Sequence, residues 1–298
     1  MLQYLCQGIP NTSEGKIESR ERTDKSDGLT NQATLRNEAY RTSKNLDARK
    51  GIYHFTHPYY SIEQEVLRLI DLQQDERLLD VGCGTGKLLL EVDRSLKGIQ
   101  LFGIDLSSGV YQGAVDACQR EGVAVAFETA DVQSLPFSDS SFHKIVAMHM
   151  LYHVPNIDQA ISELARVLKP RGVIAITANS GLNRQKLASL KSKAAAVMGR
   201  EVFADPNQRF NLENGVLFLT AHFANARVVH FRSELQLTEP EPFLNYFDSL
   251  REFWQPRPTD QEWRRVMDVV FKSLSEEILA DGMFRDETGF GVVIATKG

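Results

Sequence analysis

The stretch that decides the fold is Leu78-Leu79-Asp80-Val81-Gly82-Cys83-Gly84-Thr85-Gly86, in which a short apolar run carrying an acid passes into a glycine-rich turn. A helical pattern follows directly, so the stretch predicts a buried strand, a tight turn and a helix. Two familiar glycine loops are excluded. Lys87 stands where the dinucleotide pattern GxGxxG needs its third glycine, and Leu88 stands where the GxxxxGK[ST] phosphate loop needs Ser or Thr. The spacing that remains is GxGxG.

Strands and helices alternate outward from this stretch. Apolar runs predict strands at 78–81, 101–104, 124–127, 144–148 and 173–177, with helices at 85–96, 107–121 and 157–168. This alternation predicts a parallel sheet that is covered by helices on both faces. Beyond residue 179 we predict helices at 182–198, 212–223, 242–253 and 259–279, and strands at 226–237 and 291–296. The two last strands would close the sheet as a hairpin with a helical insertion.

Composition bounds the class of protein. The 298 residues are 42% hydrophobic and 24% charged, which suits a folded chain with a sizeable core in one elaborated domain or two. The net charge of -5 lacks the basic footprint of a dedicated nucleic-acid-binding protein. Cys6, Cys83 and Cys118 are odd in number and widely spaced, which indicates a reducing compartment. Because no apolar run approaches the roughly 18 residues of a membrane span, we expect a cytoplasmic protein.

The order of motifs resembles that of the class I S-adenosylmethionine-dependent methyltransferases. Asp80 and the GxGxG loop match the first motif of that family, Asp105 follows the second strand, Asp131 follows the third, and the block Leu168-Lys169-Pro170-Arg171-Gly172 completes the order. The resemblance covers residues 78–177, about a third of the chain. It implies a Rossmann-like α/β fold, with a seven-stranded, mostly parallel sheet, helices on both faces, an antiparallel last strand and helical lid insertions.

The resemblance also implies S-adenosyl-L-methionine as cofactor and S-adenosyl-L-homocysteine as product. In the family the acid at Asp105 accepts hydrogen bonds from the ribose hydroxyls, and two carboxylate oxygens suit a vicinal diol. Asp131 would receive the adenine amino group, with the amide of Val132 facing the ring, and Asp80 would lie near the methionine amino group. The cofactor-binding residues expected on this basis are Asp80, Gly82, Cys83, Gly84, Gly86, Asp105, Leu106, Asp131, Val132, His149 and Arg49.

Three units are expected along the chain. Residues 1–32 contain almost no apolar side chain and are predicted to be a disordered polar tail. Residues 33–75 are predicted to form an N-terminal helical cap over the cofactor. In this cap, Arg49 either pairs with the methionine carboxylate of the cofactor or is a surface charge. Residues 76–298 form the methyltransferase domain, with a helical insertion at about 240–282. Its aromatic residues suit a lid over a flat apolar acceptor, although aromatics at helical spacing also suit a core.

Methyl transfer from a sulfonium is an in-line displacement, so the protein must align the acceptor, exclude water and, for a phenol or alcohol, remove a proton. The candidates for the proton follow strand four. His153 is the first choice for the base, with a purely structural role in the loop as its alternative, and His149 is the second candidate. Tyr152, Tyr246 and Phe247 are predicted substrate contacts. No pair of carboxylates follows strand four, so we expect no metal.

The predicted activity is methyl transfer to an oxygen, nitrogen or activated carbon of a small, aromatic or apolar metabolite, as in bacterial secondary metabolism. Two alternatives stay open. Lys186, Lys191, Lys193 and Arg200 could hold an RNA or protein acceptor, although a solvated basic face is the simpler interpretation. A noncatalytic cofactor-binding protein is the other. We expect no membrane or nucleic-acid partner, and a monomer or homodimer.

Overall fold

The computed structural model describes residues 49, 51–203 and 205–298. The predicted tail, residues 1–32, and the part of the predicted cap before residue 49 lie outside the described residues, as does Cys6.

Among the described residues, eight strands form one sheet in the order β1-β7-β8-β6-β5-β2-β3-β4. Their bounds are β1 Thr56–His57, β2 Arg77–Val81, β3 Gln100–Asp105, β4 Val125–Thr129, β5 Phe142–Met148, β6 Leu168–Asn179, β7 Ala224–Leu237 and β8 Phe284–Thr296. Strands β4, β3, β2, β5 and β6 pair in parallel, whereas β8 is antiparallel to both β6 and β7. The predicted Rossmann-like sheet with an antiparallel last strand is therefore confirmed. The strand count differs because β1, which is antiparallel to β7 and two residues long, is too short to give a sequence pattern.

The described α-helices begin and end at recognisable signals. Their bounds are α1 Ile62–Ile70, α2 Lys87–Ser95, α3 Ser108–Glu121, α4 Ile157–Val167, α5 Gln185–Met198, α6 Gly215–Leu219, α7 Glu241–Asp248 and α8 Asp260–Asp281. Asn156 accepts a hydrogen bond from the Gln159 amide at the start of α4, and Thr259 forms a capping box with Glu262 at the start of α8. None of the described helices is both long enough and apolar enough to cross a membrane.

Two elements differ most from the sequence prediction. The helix expected at 212–223 shrinks to α6, because the Asn211 side chain accepts hydrogen bonds from the amides of Glu213 and Asn214 and holds a turn instead. Strand β8 begins seven residues earlier than expected. The first residues of β8 include polar side chains, so the hydrophobic pattern does not reveal this part of the strand. Among them, Asp286 is buried and accepts hydrogen bonds from the first amides of α5.

Apolar side chains cover both faces of the parallel sheet. On one face, residues of β2, β5 and β6 such as Leu79 and Ile145 pack against α4, and on the other, Leu78 and Val146 pack against α1 and α2. A third cluster joins α5, α7 and α8 to the outer halves of β7 and β8. The helices between β7 and β8 are thus anchored on the sheet and not loosely attached to it.

The basic residues of α5 form a solvated face only in part, because Lys193 is exposed but each of these lysines also contacts another side chain. Lys186 Nζ pairs with Glu277 on α8, and Lys193 Nζ donates to Ser273 Oγ on the same helix at 3.0 Å. Just beyond α5, Arg200 Nη2 bonds Glu262 at 2.9 Å. Lys191 is buried. Helix α8 packs along α5 and engages Lys186, Lys193 and Arg200. Lys191 instead contacts Asp205 and Phe203.

Candidate active site

A cavity of about 310 Å³ lies at the carboxyl ends of the parallel strands. It sits where β2 lies between β3 and β5, which is the point at which the strand order reverses and at which open α/β sheets bind ligands. The loops after β2, β3 and β4 form one half of the wall, and α5, residues 203 and 205–207 and the insertion form the other half. The volume falls in the range of small-molecule sites.

The glycine loop after β2 forms the floor of the first half. Gly82, Gly84 and Gly86 have φ angles of 69°, 55° and 74°, a region that residues with a Cβ rarely adopt. The amides of Gly82 and Cys83 both donate to the Ile104 carbonyl, at 2.8 and 2.9 Å, and this fixes the loop against β3. Three of these loop residues, 82, 83 and 84, line the cavity.

Side chains could not replace two of these glycines without strain. A Cβ at Gly82 would lie 3.0 Å from Met150 Cγ, and one at Gly86 would lie 3.0 Å from Ala114 Cβ. Gly86 therefore serves the packing of α2 on α3 and lies outside the cavity lining, whereas Gly82 keeps the floor of the cavity open.

Asp105, at the end of β3, is the best-defined acid of the cavity wall. Its Oδ2 accepts a hydrogen bond from Gly84 N at 3.0 Å, and its Oδ1 accepts one from Ser107 N at 2.9 Å. Burial raises the pKa of the carboxyl, and the amides of Ser107, Gly84 and Leu106 oppose that rise. Each carboxylate oxygen keeps a further acceptor site, so a fixed pair of acceptors faces the cavity.

The other predicted cofactor residues take different positions. Leu106, Asp131 and Val132 line the cavity beside Asp105, and the Asp131 carboxylate accepts hydrogen bonds from the backbone and side-chain amides of Gln133. Asp80 is fully buried within β2 and lies outside the cavity lining.

Cys83 lines the cavity, but its thiol is not activated as a nucleophile. Burial raises the pKa of its thiol, and the carboxylates of Asp80 and Asp105 raise it further. A thiol that stays protonated is a poor nucleophile. Cys83 therefore contributes its backbone and its small volume to the loop.

The segment after β5 brings three aromatic or basic side chains to the cavity: His149, Tyr152 and His153. His149 has a φ of 50°, and its amide donates to the carbonyl and hydroxyl oxygens of Thr177 at 3.1 and 3.0 Å. His153 ends a short 3₁₀ turn, and its ring stacks on Phe253 with centroids 6.4 Å apart. Both histidines are held at the junction of the two halves of the wall.

The insertion supplies one wall of the second half. Tyr246, Leu250 and Phe253 line the cavity. Phe247, a predicted substrate contact, is fully buried, stacks on Trp263 and does not line the cavity. Most of the aromatic supply of the insertion, Phe243, Phe247, Trp254 and Trp263, belongs to the core under the wall.

Arg49 also reaches the cavity wall and is oriented by the insertion. Its Nη2 donates to the Ser249 carbonyl at 2.7 Å, and its guanidinium lies over the Phe253 ring at 4.6 Å from the centroid. The cation is thus joined to the second half of the wall.

Several polar and aromatic lining residues of the second half escaped the sequence analysis, among them Tyr53, Asn179, Arg184, Phe203, Asp205 and Asn207. Lys191, which the sequence analysis considered only for a macromolecular acceptor, lines the cavity as well. Arg184 donates to the hydroxyls of Tyr246, Tyr53 and Thr288 at 3.0, 2.7 and 3.2 Å. The one available signal was a cluster of polar residues directly after the predicted fifth strand, Asn179 among them.

The first half fits S-adenosylmethionine. A floor with glycine at positions 82 and 84 admits close approach of a ligand, and Asp105 offers two oriented acceptors for a diol. Across the residues that the structure describes, no three His, Cys, Asp or Glu side chains converge as metal ligands. Metal independence stays a prediction.

This fold and this loop define the architecture of the class I methyltransferases, and comparison with known proteins agrees. Residues 79–176 match the family described as methyltransferase domain. Methyltransferase GfsG of Streptomyces halstedii is 29% identical over 242 residues, which cover 79% of this chain and 78% of that protein. The 27-O-demethylrifamycin SV methyltransferase of Amycolatopsis mediterranei is 33% identical over 125 residues, which cover 39% of this chain and 46% of that protein.

A solved structure shares the fold. Phosphoethanolamine N-methyltransferase 2 of Haemonchus contortus, in complex with S-adenosyl-L-methionine, superposes with a TM-score of 0.54 at 19% identity, covering 89% of this chain and 59% of that one. At that identity the likeness concerns the fold. The family match over residues 79–176 and these relatives support a class I S-adenosylmethionine-dependent methyltransferase domain in this part of the chain.

Proposed function

We propose that the protein transfers a methyl group from S-adenosylmethionine to an oxygen, nitrogen or activated carbon of a small metabolite with an aromatic or apolar body, without a metal. The observation that carries this proposal is the division of one cavity into two halves. The Gly82 loop and Asp105 line one half, and Tyr152, Tyr246 and Phe253 line the other. Its volume of about 310 Å³ suits small molecules rather than a macromolecular surface.

The chain contributes mainly orientation. S-adenosylmethionine, when bound, supplies an electrophilic methyl group. Asp105 holds the ribose, and the glycine loop allows the backbone to approach the methionine part closely. The apolar rings of Phe253 and Tyr152 exclude water from the acceptor and fix its plane.

We assign the removal of an acceptor proton to His153. Its ring lies on the cavity wall at the junction of the two halves and is held in place by Phe253 on one side and Tyr152 on the other, with centroids 6.4 and 4.6 Å away. A base that is already oriented loses little entropy when the acceptor binds. His149, whose backbone is fixed by Thr177, is the second candidate.

A macromolecular acceptor has no observation in its favour. Of the cations that could have held RNA or an acidic peptide, Lys186, Lys193 and Arg200 are engaged by α8, and Lys191 is buried beside Asp205. The similarity to GfsG and to the rifamycin enzyme supports an acceptor from secondary metabolism. A cytoplasmic location and a monomeric or dimeric state stay predictions.

The test is calorimetric titration with S-adenosylmethionine and S-adenosylhomocysteine, followed by mass spectrometry of small molecules that copurify or are added as a panel of phenols, amines and enols. We expect both ligands to bind and at least one compound to gain the mass of one methylene. The reaction should proceed unchanged with EDTA. Binding without any turnover across the panel would contradict the proposed acceptor class, and a loss of turnover with EDTA would contradict metal independence.

A further inference from the structure

The second half of the cavity carries a buried cluster of positive charge that the transfer of a methyl group does not require. Arg184, the residue before α5, directs three of the five N–H donors of its guanidinium at neutral hydroxyls. One N–H remains on each terminal nitrogen, which is the number that a bidentate oxyanion takes. Arg184 forms no ion pair with any carboxylate of the part of the chain that the structure describes.

Lys191 lies about two turns further along α5 and lines the same cavity. It is buried, and its Nζ lies over the Phe203 ring and 3.5 Å from Asp205 Oδ2. That contact is long for an ion pair, and the other carboxylate oxygen of Asp205 is taken by the backbone and side-chain amides of Asn207. Burial lowers the pKa of Lys191, the charge of Arg184 lowers it further, and Asp205 opposes both.

The charges around this half do not balance. Arg184 and Lys191 face the cavity with Asp205 as the one carboxylate of the second half that lines it among the described residues. Asp286 lies near Arg184 but is committed to the first amides of α5. Excess positive charge in a partly desolvated site is costly unless an anion enters it.

Two phenols complete the environment. Tyr246 and Tyr53 accept hydrogen bonds from the guanidinium and so keep it extended toward the cavity. The phenol proton of Tyr246 has no acceptor among the described residues, and Tyr246 lines the cavity, so this O–H is available to a ligand oxygen.

We propose that the acceptor carries an oxyanion, a carboxylate or a phosphate, which is bound by Arg184 and Lys191 with the Tyr246 hydroxyl as a further donor. This inference rests on the proposed function and narrows it, because the apolar body against Phe253 then ends in an acidic group. The anion neutralises the excess charge, and its two oxygens match the two remaining terminal N–H donors of Arg184.

The experiment uses the full chain saturated with S-adenosylhomocysteine, so that the cofactor half cannot take the probe. Benzoate and phenyl phosphate are titrated by calorimetry, and benzamide serves as the neutral counterpart of benzoate. We expect at least one of the two acids to bind at least tenfold more tightly than benzamide. Which of the two binds more tightly shows whether the site prefers a carboxylate or a phosphate. Failure of both acids to bind, or equal binding of benzamide, would overturn the proposal.

Variants locate the binding to the two cations. Lys191→Met keeps the length of the side chain on Phe203 and removes the charge, and we expect about a tenfold loss of affinity for the acid. Lys193→Met is the matched control, because Lys193 is exposed on the same helix and bonds Ser273. Arg184→Lys should lose more affinity than Lys191→Met, since it removes the bidentate geometry. Unchanged acid binding in Lys191→Met would overturn the proposal.

Two controls separate the possible failures. Melting curves show whether each variant is folded, and the affinity for S-adenosylhomocysteine shows whether the first half is intact. If the wild-type protein does not bind S-adenosylhomocysteine, the result counts against the proposed function itself. Normal S-adenosylhomocysteine binding without acid selectivity counts against the oxyanion site alone.

Discussion

Replacing Asp105 by asparagine should weaken the binding of S-adenosylhomocysteine by about 30- to 1,000-fold. The carboxylate accepts amide hydrogens from Gly84 at 3.0 Å and Ser107 at 2.9 Å, and it keeps one further acceptor site per oxygen for the ribose hydroxyls. An asparagine has one acceptor oxygen, so its NH₂ group must face an amide donor and cannot accept from the ribose. A hydrogen bond to a charged group contributes about 1.5–3 kcal/mol. Loss of one bond and weakening of the second gives about 2–4 kcal/mol, which is the stated range at about 1.4 kcal/mol per tenfold.

The assay is calorimetric titration at constant pH, with Asp116→Asn as the matched control. Asp116 is exposed on α3 and loses the same charge on substitution, so a general electrostatic effect would appear in both variants. Circular dichroism and melting curves check that Asp105→Asn is folded. An affinity within threefold of the wild-type value in the folded variant would refute the assignment of Asp105 to the cofactor.

Three further predictions follow from the site and the sheet. His153→Ala should lower kcat at least a hundredfold with S-adenosylhomocysteine affinity changed less than twofold, and a change in affinity alone would point to a structural role. Gly289→Ala should lower the free energy of unfolding by about 2–3 kcal/mol in urea titrations, because the φ of Gly289 is 138° and the new Cβ would overlap the Phe231 carbonyl. The control Gly199→Ala, which has open space around the new Cβ, should lower the free energy of unfolding by about 1 kcal/mol. Burial raises the pKa of Asp105 above its ordinary 3.8, so on acidification S-adenosylhomocysteine binding should begin to weaken at a higher pH than an exposed aspartate would give. In that pH range, binding should release a proton. An affinity that does not change down to pH 4 would contradict this prediction.

The cofactor half of the cavity was predictable because its residues follow local rules. An apolar run, a GxGxG turn and acids at strand ends are all written within a few residues of one another, and parallel strands bring their carboxyl ends to one edge of the sheet. Gly82, Asp105 and Asp131 therefore meet in the structure where the sequence places them. The roles of these residues toward the cofactor stay predictions.

The acceptor half was not predictable in this way. Tyr53, Arg184 with Lys191, and Tyr246 come from three separate segments, and tertiary packing alone brings them together. Sequence patterns also mislead where a polar group is buried together with its partners. Asp286 lies inside β8 and accepts hydrogen bonds from α5, and for that reason the hydrophobic pattern placed the start of this strand seven residues too late. The same packing explains why the predicted contact Phe247 lies in the core and not on the cavity wall.

The division of the cavity has a consequence for how such an enzyme diversifies. Most of the lining residues that we expect to bind the cofactor lie between positions 82 and 132, whereas most of the proposed acceptor wall lies beyond position 179. Mutations in the later stretch can therefore change the accepted compound while leaving the methyl donor in place. A chimera that exchanged the segment between β6 and β8 with that of a related enzyme would inherit a new acceptor and retain the old cofactor.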